Sequence, residues 1–391
     1  MRTLTFSILG AVLASAMATG RPPGATPEHE RTVVPLQFHS GRPVIVLALN
    51  GKGPYRFLFD TGSGARLIVD EELAAGLGLK PAGTQRIGDP NTPEAIEAKV
   101  VKVARVELGA LAIKDVDAIS WNRGALGPAD SPRGVVGLGL FGSSVVTLDY
   151  PGAKFIVEPG PLPEADGRTV LKATFEDGIP SIPIDVAGVG YLAHLDSGST
   201  GFLGLPLGAS KDLPLEAEPV VVGRARTASG DYAVSEARLS GYVRVGEIVL
   251  EGPRLRFVDL PSANLGSDLL RSMVVSVDRK NERVRLVASG KPIEPSERPR
   301  LGILMYGPKE GRLPIERVVP GSPAEAADLR AGDQIVTLNG RVAAEMSKFE
   351  LSQMLLARPL AITLLRDGAT VAVEISVTPP AADQAPPTGG H

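Results

Sequence analysis

The sequence contains no cysteine in its 391 residues. This absence excludes disulfide bonds, thiol catalysis and a lipid-modified N-terminal cysteine. No excess of one charge is present either, because the 41 basic residues nearly balance the 44 acidic ones and no basic stretch stands out. Nucleic acid is therefore not an expected partner.

Histidine is scarce, and metal and phosphate motifs are missing. The four histidines are scattered, without a His-x-x-x-His pair or a carboxylate cluster. This distribution gives no support for zinc or calcium, so no metal site is predicted. No phosphate-binding glycine loop opens a helix, and Gly198-Ser199-Thr200-Gly201 lacks the pattern of a serine nucleophile elbow.

Apolar runs long enough to suggest targeting occur only near the N-terminus. Arg2 precedes an apolar run from Leu4 to Leu13, and small residues follow it. This order predicts a secretory signal peptide over residues 1–18, with an uncleaved anchor as the alternative. No membrane span is expected after signal cleavage. An exported chain without cysteine suits a bacterial periplasm or the extracellular space.

Two short tripeptides are the most informative features that the sequence does contain. Asp60-Thr61-Gly62 and Asp196-Ser197-Gly198 each follow an apolar, strand-like run. A carboxylate at the end of a buried strand is costly unless it is paired or used. Two close aspartates cannot both ionise, so one serves as a base and the other as an acid. Such a pair suits peptide hydrolysis by an activated water.

The repeat extends well beyond the tripeptides. An apolar-Gly element follows in each half, Val135-Val136-Gly137 in the first and Asn264-Leu265-Gly266 in the second. A strand-like segment then ends at Asp149 in the first half and at Asp278 in the second, where turn or ion-pair roles are expected. The same series in the same order indicates two related halves.

This series resembles the bilobal aspartic proteases, the pepsin-like and retropepsin-like group. The resemblance implies a mainly β, two-lobed fold with an internal pseudo-repeat, with lobes over residues 32–158 and 166–288. It also implies that Asp60 and Asp196 are the catalytic residues and that no cofactor is needed. Asn264 departs from the pattern, because it is polar where the family has an apolar residue.

Six residues beside the aspartates are expected to support them: Thr61, Gly62, Ser63, Ser197, Gly198 and Ser199. The first hydroxyl in each half would hydrogen-bond across to the other half, or act as a simple turn hydroxyl. The glycines permit close backbone approach, and the second serines would hold the outer carboxylate oxygens. The position of His194, two residues before Asp196 on the same strand, favours a core or surface histidine over a catalytic one. Asp268 is a weaker acidic candidate near the second apolar-Gly element.

Two turn-like segments are candidates for hairpins that close over a substrate, as the resemblance implies. They supply the candidate cleft residues Gly88, Asp89, Ser229, Gly230 and Tyr232. A buried structural role for the tyrosine fits the sequence equally well.

The C-terminal part is predicted to be a second module. Residues 289–299 are expected to form a linker, and residues 379–391 a flexible tail. Between them, Ser322-Pro323-Ala324-Glu325 forms a capping box and Asn339-Gly340 a tight turn. The order of elements over residues 300–378 resembles an α+β bacterial PDZ domain.

The resemblance to PDZ domains implies a peptide-binding loop. Backbone amides of Leu301, Gly302, Ile303 and Leu304 would hold the terminal carboxylate of a peptide, which adds to the sheet as a strand. The alternative is a PDZ fold that packs against the lobes and binds nothing.

These observations predict an exported aspartic endopeptidase that hydrolyses polypeptides, with a PDZ domain that docks substrates or protein C-termini. The rival hypothesis is a catalytically inactive protease-like shell that acts with the PDZ domain as a peptide-binding adaptor. A third hypothesis is a PDZ-regulated protease that acts only on its own chain.

Overall fold

The computed structural model describes residues 31–87, 96–121, 132–227, 230–293, 295, 301–305, 311–346, 350–351, 354–355 and 359–375. The chain separates into two compact units. The first comprises Met1–Pro219 and Ala225–Pro295, and the second Val220–Arg224 and Ser296–His391. The predicted signal peptide and C-terminal tail lie outside the described residues. Within those residues, none of the helices is both long and apolar enough to cross a membrane.

The first half of the first unit is built from strands. They are β1 (Thr32–Pro35), β2 (Gln37–His39), β3 (Arg42–Leu49), β4 (Lys52–Asp60), β5 (Leu67–Asp70), β6 (Pro81–Ile87), β7 (Ile96–Leu108), β8 (Leu111–Trp121), β9 (Gly134–Gly137), β10 (Val145–Asp149) and β11 (Lys154–Glu158). Eight of them form one sheet in the order β2-β3-β4-β9-β5-β8-β7-β6. Helix α1 (Glu71–Gly76) follows β5, and Asp70 caps it by accepting two backbone N–H bonds.

The second half repeats this plan. Its strands are β12 (Val170–Lys172), β13 (Thr174–Glu176), β14 (Ile179–Val186), β15 (Val189–Asp196), β16 (Leu203–Pro206), β17 (Val220–Thr227), β18 (Gly230–Arg238), β19 (Tyr242–Val245), β20 (Ile248–Glu251), β21 (Arg254–Val258), β22 (Ala263–Gly266), β23 (Met273–Asp278) and β24 (Arg283–Ala288). Of β17, residues Val220–Arg224 are grouped with the second unit. A ten-stranded sheet has the order β17-β18-β21-β16-β22-β15-β14-β19-β20, with β13 beside β14. Helix α2 (Ser267–Leu270) follows β22.

A third sheet joins the two halves. Its order is β1-β11-β10-β23-β24-β12, so three strands of the first half lie beside three strands of the second half. The central pairing is antiparallel between β10 and β23, with Val146 opposite Val277. Thr147 donates to Ser276 across this pairing at 2.8 Å. The two repeat strands that end at Asp149 and Asp278 are therefore direct neighbours in one sheet.

An aromatic cluster supports the end of β4. Phe59, the residue before Asp60, packs edge-on against Phe155 with ring centroids 4.7 Å apart. Phe141, on the 3-10 helix η1 (Leu138–Phe141), is tilted against both rings. All three side chains are buried, which stabilises the fold by roughly 2–3 kcal/mol for each ring. The strand that carries Asp60 is therefore held in a tightly packed core.

The second unit has its own core and sheet. Its strands are β25 (Ile303–Met305), β26 (Leu313–Val318), β27 (Gln334–Leu338), β28 (Arg341–Val342), β29 (Leu360–Arg366) and β30 (Ala369–Ile375). They follow the order β25-β26-β27-β29-β30, with β28 beside β27. Helix α3 (Pro323–Ala326) begins after Ser322, which caps it. Two further 3-10 helices in the described part of the chain are η2 (Leu207–Lys211) in the first unit and η3 (Ala343–Glu345) in the second. The predicted mainly β fold with a repeat and an α+β module is confirmed.

Candidate active site

Each aspartate is the last residue of a strand, beside a glycine of a parallel neighbour. Asp60 at the end of β4 lies opposite Gly137 of β9, and Asp196 at the end of β15 lies opposite Gly266 of β22. A Cβ atom on Gly137 would stand 2.2 Å from the carbonyl oxygen of Ala65. The equivalent atom on Gly266 would stand 2.2 Å from the carbonyl oxygen of Gly201. Both glycines of the repeat therefore let the loop after the aspartate return across the neighbouring strand.

The two loops are joined by reciprocal hydrogen bonds. The Thr61 backbone N–H donates to Ser197 Oγ at 3.0 Å, and the Ser197 N–H donates to Thr61 Oγ1 at 2.9 Å. The Ser197 hydroxyl donates to the carbonyl of Phe59 at 2.9 Å, and the Thr61 hydroxyl donates to the carbonyl of Leu195. All of these groups are buried. The cross-lobe bonds expected of the two hydroxyl residues are present, so each half fixes the strand end of the other.

Removal of the hydrogen bonds made by the Thr61 hydroxyl is expected to destabilise the fold. Thr61→Val removes the hydroxyl and leaves a buried N–H and a buried carbonyl without their partner, which is expected to cost about 2–4 kcal/mol of unfolding free energy. Urea denaturation followed by circular dichroism measures the change. Thr174→Val, on the exposed edge strand β13, is the matched control and should change stability by less than about 0.5 kcal/mol. Equal stability of the two variants would contradict the role given to Thr61.

Glycine at position 198 is required by close packing between the two loops. A Cβ atom at Gly198 would lie 2.4 Å from Cγ of Asp60 and 2.5 Å from both of its carboxyl oxygens. The backbone of the second loop therefore lies directly against the carboxyl group of the first. This contact brings the two tripeptides, which are far apart in sequence, into one site.

The two carboxyl groups receive different hydrogen bonds. Asp60 Oδ1 accepts from the Gly62 backbone N–H at 2.8 Å. Asp196 Oδ1 accepts from the Ser199 N–H at 2.9 Å, and its Oδ2 accepts from the Asn264 amide at 2.8 Å. Among the described residues, Oδ2 of Asp60 has no hydrogen-bond donor. Asp196 therefore accepts a hydrogen bond at each of its oxygens, whereas Asp60 accepts one at Oδ1 only among the described residues.

Burial raises the pKa of Asp60 well above its ordinary value, and the nearby charge of Asp196 raises it further. A hydrogen bond of the protonated acid to Asp196 adds to this rise, while the Gly62 N–H and the charge of Arg42 oppose it. Asp60 therefore keeps its proton to a higher pH than an ordinary aspartate does. This is the electrostatic condition that an acid and base pair requires.

The second serines do not act as predicted. Ser63 Oγ has no hydrogen-bond partner among the described residues, although it is buried. Ser199 Oγ accepts from the Gly201 N–H at 3.2 Å. The turn after each strand points backbone N–H groups at the carboxylate, and the Ser199 N–H takes the place of the predicted hydroxyl. The hydroxyls are therefore not the groups that hold the outer oxygens.

The other acidic candidates have structural roles. Asp149 accepts from the Gly152 N–H at 2.7 Å, and Asp278 accepts from the Asn281 N–H at 3.1 Å, three residues further along the chain in each case. Asp268 forms an ion pair with Arg271 at 3.4 Å. The turn roles predicted for the two strand-end aspartates are confirmed.

His194 is half-buried on the strand that carries Asp196. Burial lowers its pKa, and the charges of Asp196 and Glu176 partly offset that effect. The imidazole is therefore neutral near neutral pH.

Most of the predicted cleft residues cannot be placed. Gly88, Asp89 and Ser229 lie outside the described residues. Gly230 begins β18, and Tyr232 lies half-buried in the same strand. The prediction that the two segments containing these residues form hairpins over a substrate therefore stays a prediction.

The first loop of the second unit has a constrained backbone. Gly302 has a φ of +83°, and a Cβ atom there would lie 2.1 Å from Cβ of Ser322. The carbonyls of Leu301 and Gly302 accept from Ala324 and Val319 at 2.9 and 2.8 Å. Ile303 and Leu304 begin β25, which is the terminal strand in the described sheet. The loop is thus fixed beside a sheet edge to which a peptide strand could add.

Sequence reasoning missed two neighbours of the aspartates. Asn264 stood out only as a poor fit to an apolar-Gly element, yet its amide contacts Asp196. Tyr150 gave no signal in the sequence. Burial raises the pKa of the Tyr150 phenol, and the charges of Asp196 and Asp60 raise it further. Its hydroxyl has no hydrogen-bond partner among the described residues.

Comparisons with known proteins match both parts of the chain. The aspartyl protease family matches residues 45–145, which include Asp60, and the PDZ domain family matches residues 315–366. A curated relative, the "Probable 26S proteasome regulatory subunit p27" of Saccharomyces cerevisiae, is 38% identical over 69 residues. That match covers 17% of this chain, and the chain spans 30% of the relative's length.

A solved structure that is similar to part of the chain is a crystal structure of the HtrA3 PDZ domain bound to a phage-derived ligand. It is 24% identical, with a TM-score of 0.18, and the match covers 19% of this chain and 81% of that chain. The two family matches alone show that the chain carries an aspartyl protease domain, matched over residues 45–145, and a C-terminal PDZ domain, matched over residues 315–366.

Proposed function

We propose that this chain is an aspartic endopeptidase in which Asp60 and Asp196 activate a water molecule. The observation that carries the proposal is the pair itself: two buried carboxyl groups on equivalent strand ends, whose following loops are joined by reciprocal hydrogen bonds between Thr61 and Ser197. Burial and a neighbouring carboxyl raise the pKa of Asp60, which favours one protonated and one ionised member.

The reaction needs only these two groups and water. The ionised aspartate accepts a proton as the water oxygen attacks the peptide carbonyl carbon. The protonated aspartate donates its proton to the carbonyl oxygen, which gives a neutral tetrahedral intermediate. As that intermediate collapses, the leaving nitrogen takes the proton that came from water, and the other aspartate recovers its own. The dyad then returns to its starting protonation state.

Incubation with an unfolded protein from acidic to neutral pH tests the proposal. Mass spectrometry of the products should find new termini at internal peptide bonds. If the folded protein cleaves nothing at any pH while its PDZ domain binds peptides, the adaptor hypothesis is the better account. If the only new termini lie in its own chain, the enzyme acts on itself alone.

We also propose that the PDZ domain docks polypeptides, in particular protein C-termini. Support comes from the fixed Leu301–Leu304 loop beside the edge strand β25. Docking would raise the local concentration of a tethered segment without altering the chemistry at the aspartates.

The docking proposal predicts a preference for a free carboxylate. A peptide with a free C-terminus should bind the full chain about tenfold or more tightly than its C-terminal amide, because backbone N–H groups favour an anion. Fluorescence anisotropy measures both affinities. Gly302→Ala should abolish the preference, since its Cβ atom would meet Ser322. Gly321→Ala, with a φ of +71° and open space around it, is the matched control. Equal binding of the acid and the amide would contradict recognition of a terminal carboxylate and would favour a structural role for the PDZ domain.

We propose that the protein is exported, to a bacterial periplasm or the extracellular space. The support is the apolar run from Leu4 to Leu13 and the absence of cysteine.

A further inference from the structure

The two halves differ in the pair of side chains that lies two residues before each aspartate of the site. In the first half, Leu58 of β4 lies opposite Val135 of β9. In the second half, His194 of β15 lies opposite Asn264 of β22. The first pair is fully buried in an apolar cluster, whereas the second pair is half-buried and polar. The pseudo-symmetry of the site is therefore broken on the side of Asp196.

The polar pair gives Asp196 a hydrogen bond that Asp60 lacks. The Asn264 amide donates to Asp196 Oδ2 at 2.8 Å, while the Ser199 N–H donates to Oδ1 at 2.9 Å. Donors that point at both oxygens stabilise a carboxylate in its charged form. The equivalent position in the first half is Val135, which has no polar atom to offer.

Fold stability does not explain an asparagine at this position. Asn264 Oδ1 is buried and has no hydrogen-bond partner among the described residues. An unpaired buried oxygen destabilises a fold, and each such group needs an explanation. Val135 demonstrates that an apolar residue packs at the equivalent place. The benefit of Asn264 therefore lies in its contact with the carboxylate.

We propose that Asn264 is a positioning residue that holds Asp196 as the ionised member of the pair and leaves the shared proton on Asp60. The catalytic consequence rests on the proposed function: Asp196 would accept the proton of the attacking water, and Asp60 would donate its proton to the carbonyl oxygen. The two aspartates would then have fixed roles in the first step, although the fold is nearly symmetric.

Other titratable groups interact electrostatically with Asp196. They are Asp60 at the end of β4, His194 on the same strand as Asp196, and Tyr150 in the turn after β10. On α2, Asp268 forms an ion pair with Arg271. His194 and Tyr150 are both held neutral near neutral pH, His194 by burial alone and Tyr150 by burial and the charges of the two aspartates. Neither supplies the stabilisation that the amide gives to the carboxylate.

The pH dependence of hydrolysis tests the assignment. Loss of the donor in Asn264→Leu destabilises ionised Asp196, so the acidic limb of the kcat/KM profile should move to higher pH by about one to two units. Asn264→Val, which copies Val135, should give the same shift. Gln37→Leu, an equally apolar change at an exposed position on β2, should leave the limb in place. A loss of rate that is equal at every pH would overturn the proposal.

A titration that does not depend on hydrolysis separates this inference from the proposed function. Carbon-13 NMR of labelled aspartate carboxyl groups reports the apparent pKa values of the pair. The lower value should rise by about one to two units in Asn264→Leu or Asn264→Val. A rise in a protein that cleaves nothing would support the role of Asn264 and refute the protease. An unchanged titration in either folded variant would overturn the role of Asn264, whatever the activity.

Discussion

Asp60→Asn is expected to abolish peptide hydrolysis, with a loss of about 10⁴-fold or more in kcat. The amide cannot donate the proton that the carbonyl oxygen needs, although it fills the same volume beside Gly198. Asp196→Asn should cause a similar loss, and the double variant little more, because the two groups act as a unit. Asp117→Asn, which removes an exposed acid that pairs with Lys102, is the matched control and should retain full activity.

The same Asp60→Asn variant should have an altered dependence of stability on pH. The folded state raises the pKa of Asp60 above 3.8, so it keeps a proton that the unfolded chain has lost. The stability linked to this proton is fully present below the unfolded pKa and is lost as pH rises through the folded pKa. Urea midpoints of wild type should therefore fall relative to those of Asp60→Asn as pH rises through this window. Parallel curves for the two proteins would contradict a raised pKa at Asp60.

Gly198→Ala is expected to reduce activity by about 10²-fold or more, since small displacements of reacting groups carry penalties of this size. Its new Cβ atom would lie 2.4 Å from Cγ of Asp60, so the carboxyl or the loop has to move. Measured kcat/KM values give the change in activity. Urea denaturation should also reveal a loss of about 1–3 kcal/mol from overpacking.

Gly190→Ala provides the comparison for Gly198→Ala. Gly190 lies on the same strand as Asp196, and a Cβ atom there would meet nothing within 4 Å. That variant should match wild type in both activity and stability. If Gly198→Ala also matches wild type, the two loops are not packed as closely as the structure places them.

The sequence was sufficient to predict the architecture, because the features that determine it are local. The strand-like runs before Asp60 and Asp196 are apolar and short, and the glycines after them mark turns. Their recurrence in one order predicted two related halves. The order of the capping box and the turn at Asn339-Gly340 similarly predicted the second module.

The details of the site could not be predicted, because they depend on contacts between distant segments. The bond between Asn264 and Asp196 follows from the parallel register of β15 and β22, which no local pattern specifies. The serine hydroxyls were assigned to the carboxylates because the sequence does not reveal that the turn directs the Ser199 N–H there instead. The contact of Gly198 with Asp60 likewise forms only when the two halves pack against each other.

The sheet that joins the halves also bears on when the chain becomes reactive. Its central strands β10 and β23 place Thr147 against Ser276, 129 positions apart, and the Thr61–Ser197 bonds span 136. Pairings of such separation form slowly, since closing a long loop costs entropy before any contact repays it. A nascent chain that ends before Asp196 holds one aspartate without the other. On the proposed function, hydrolytic competence would thus arise only late in folding, after the two halves have formed and packed together.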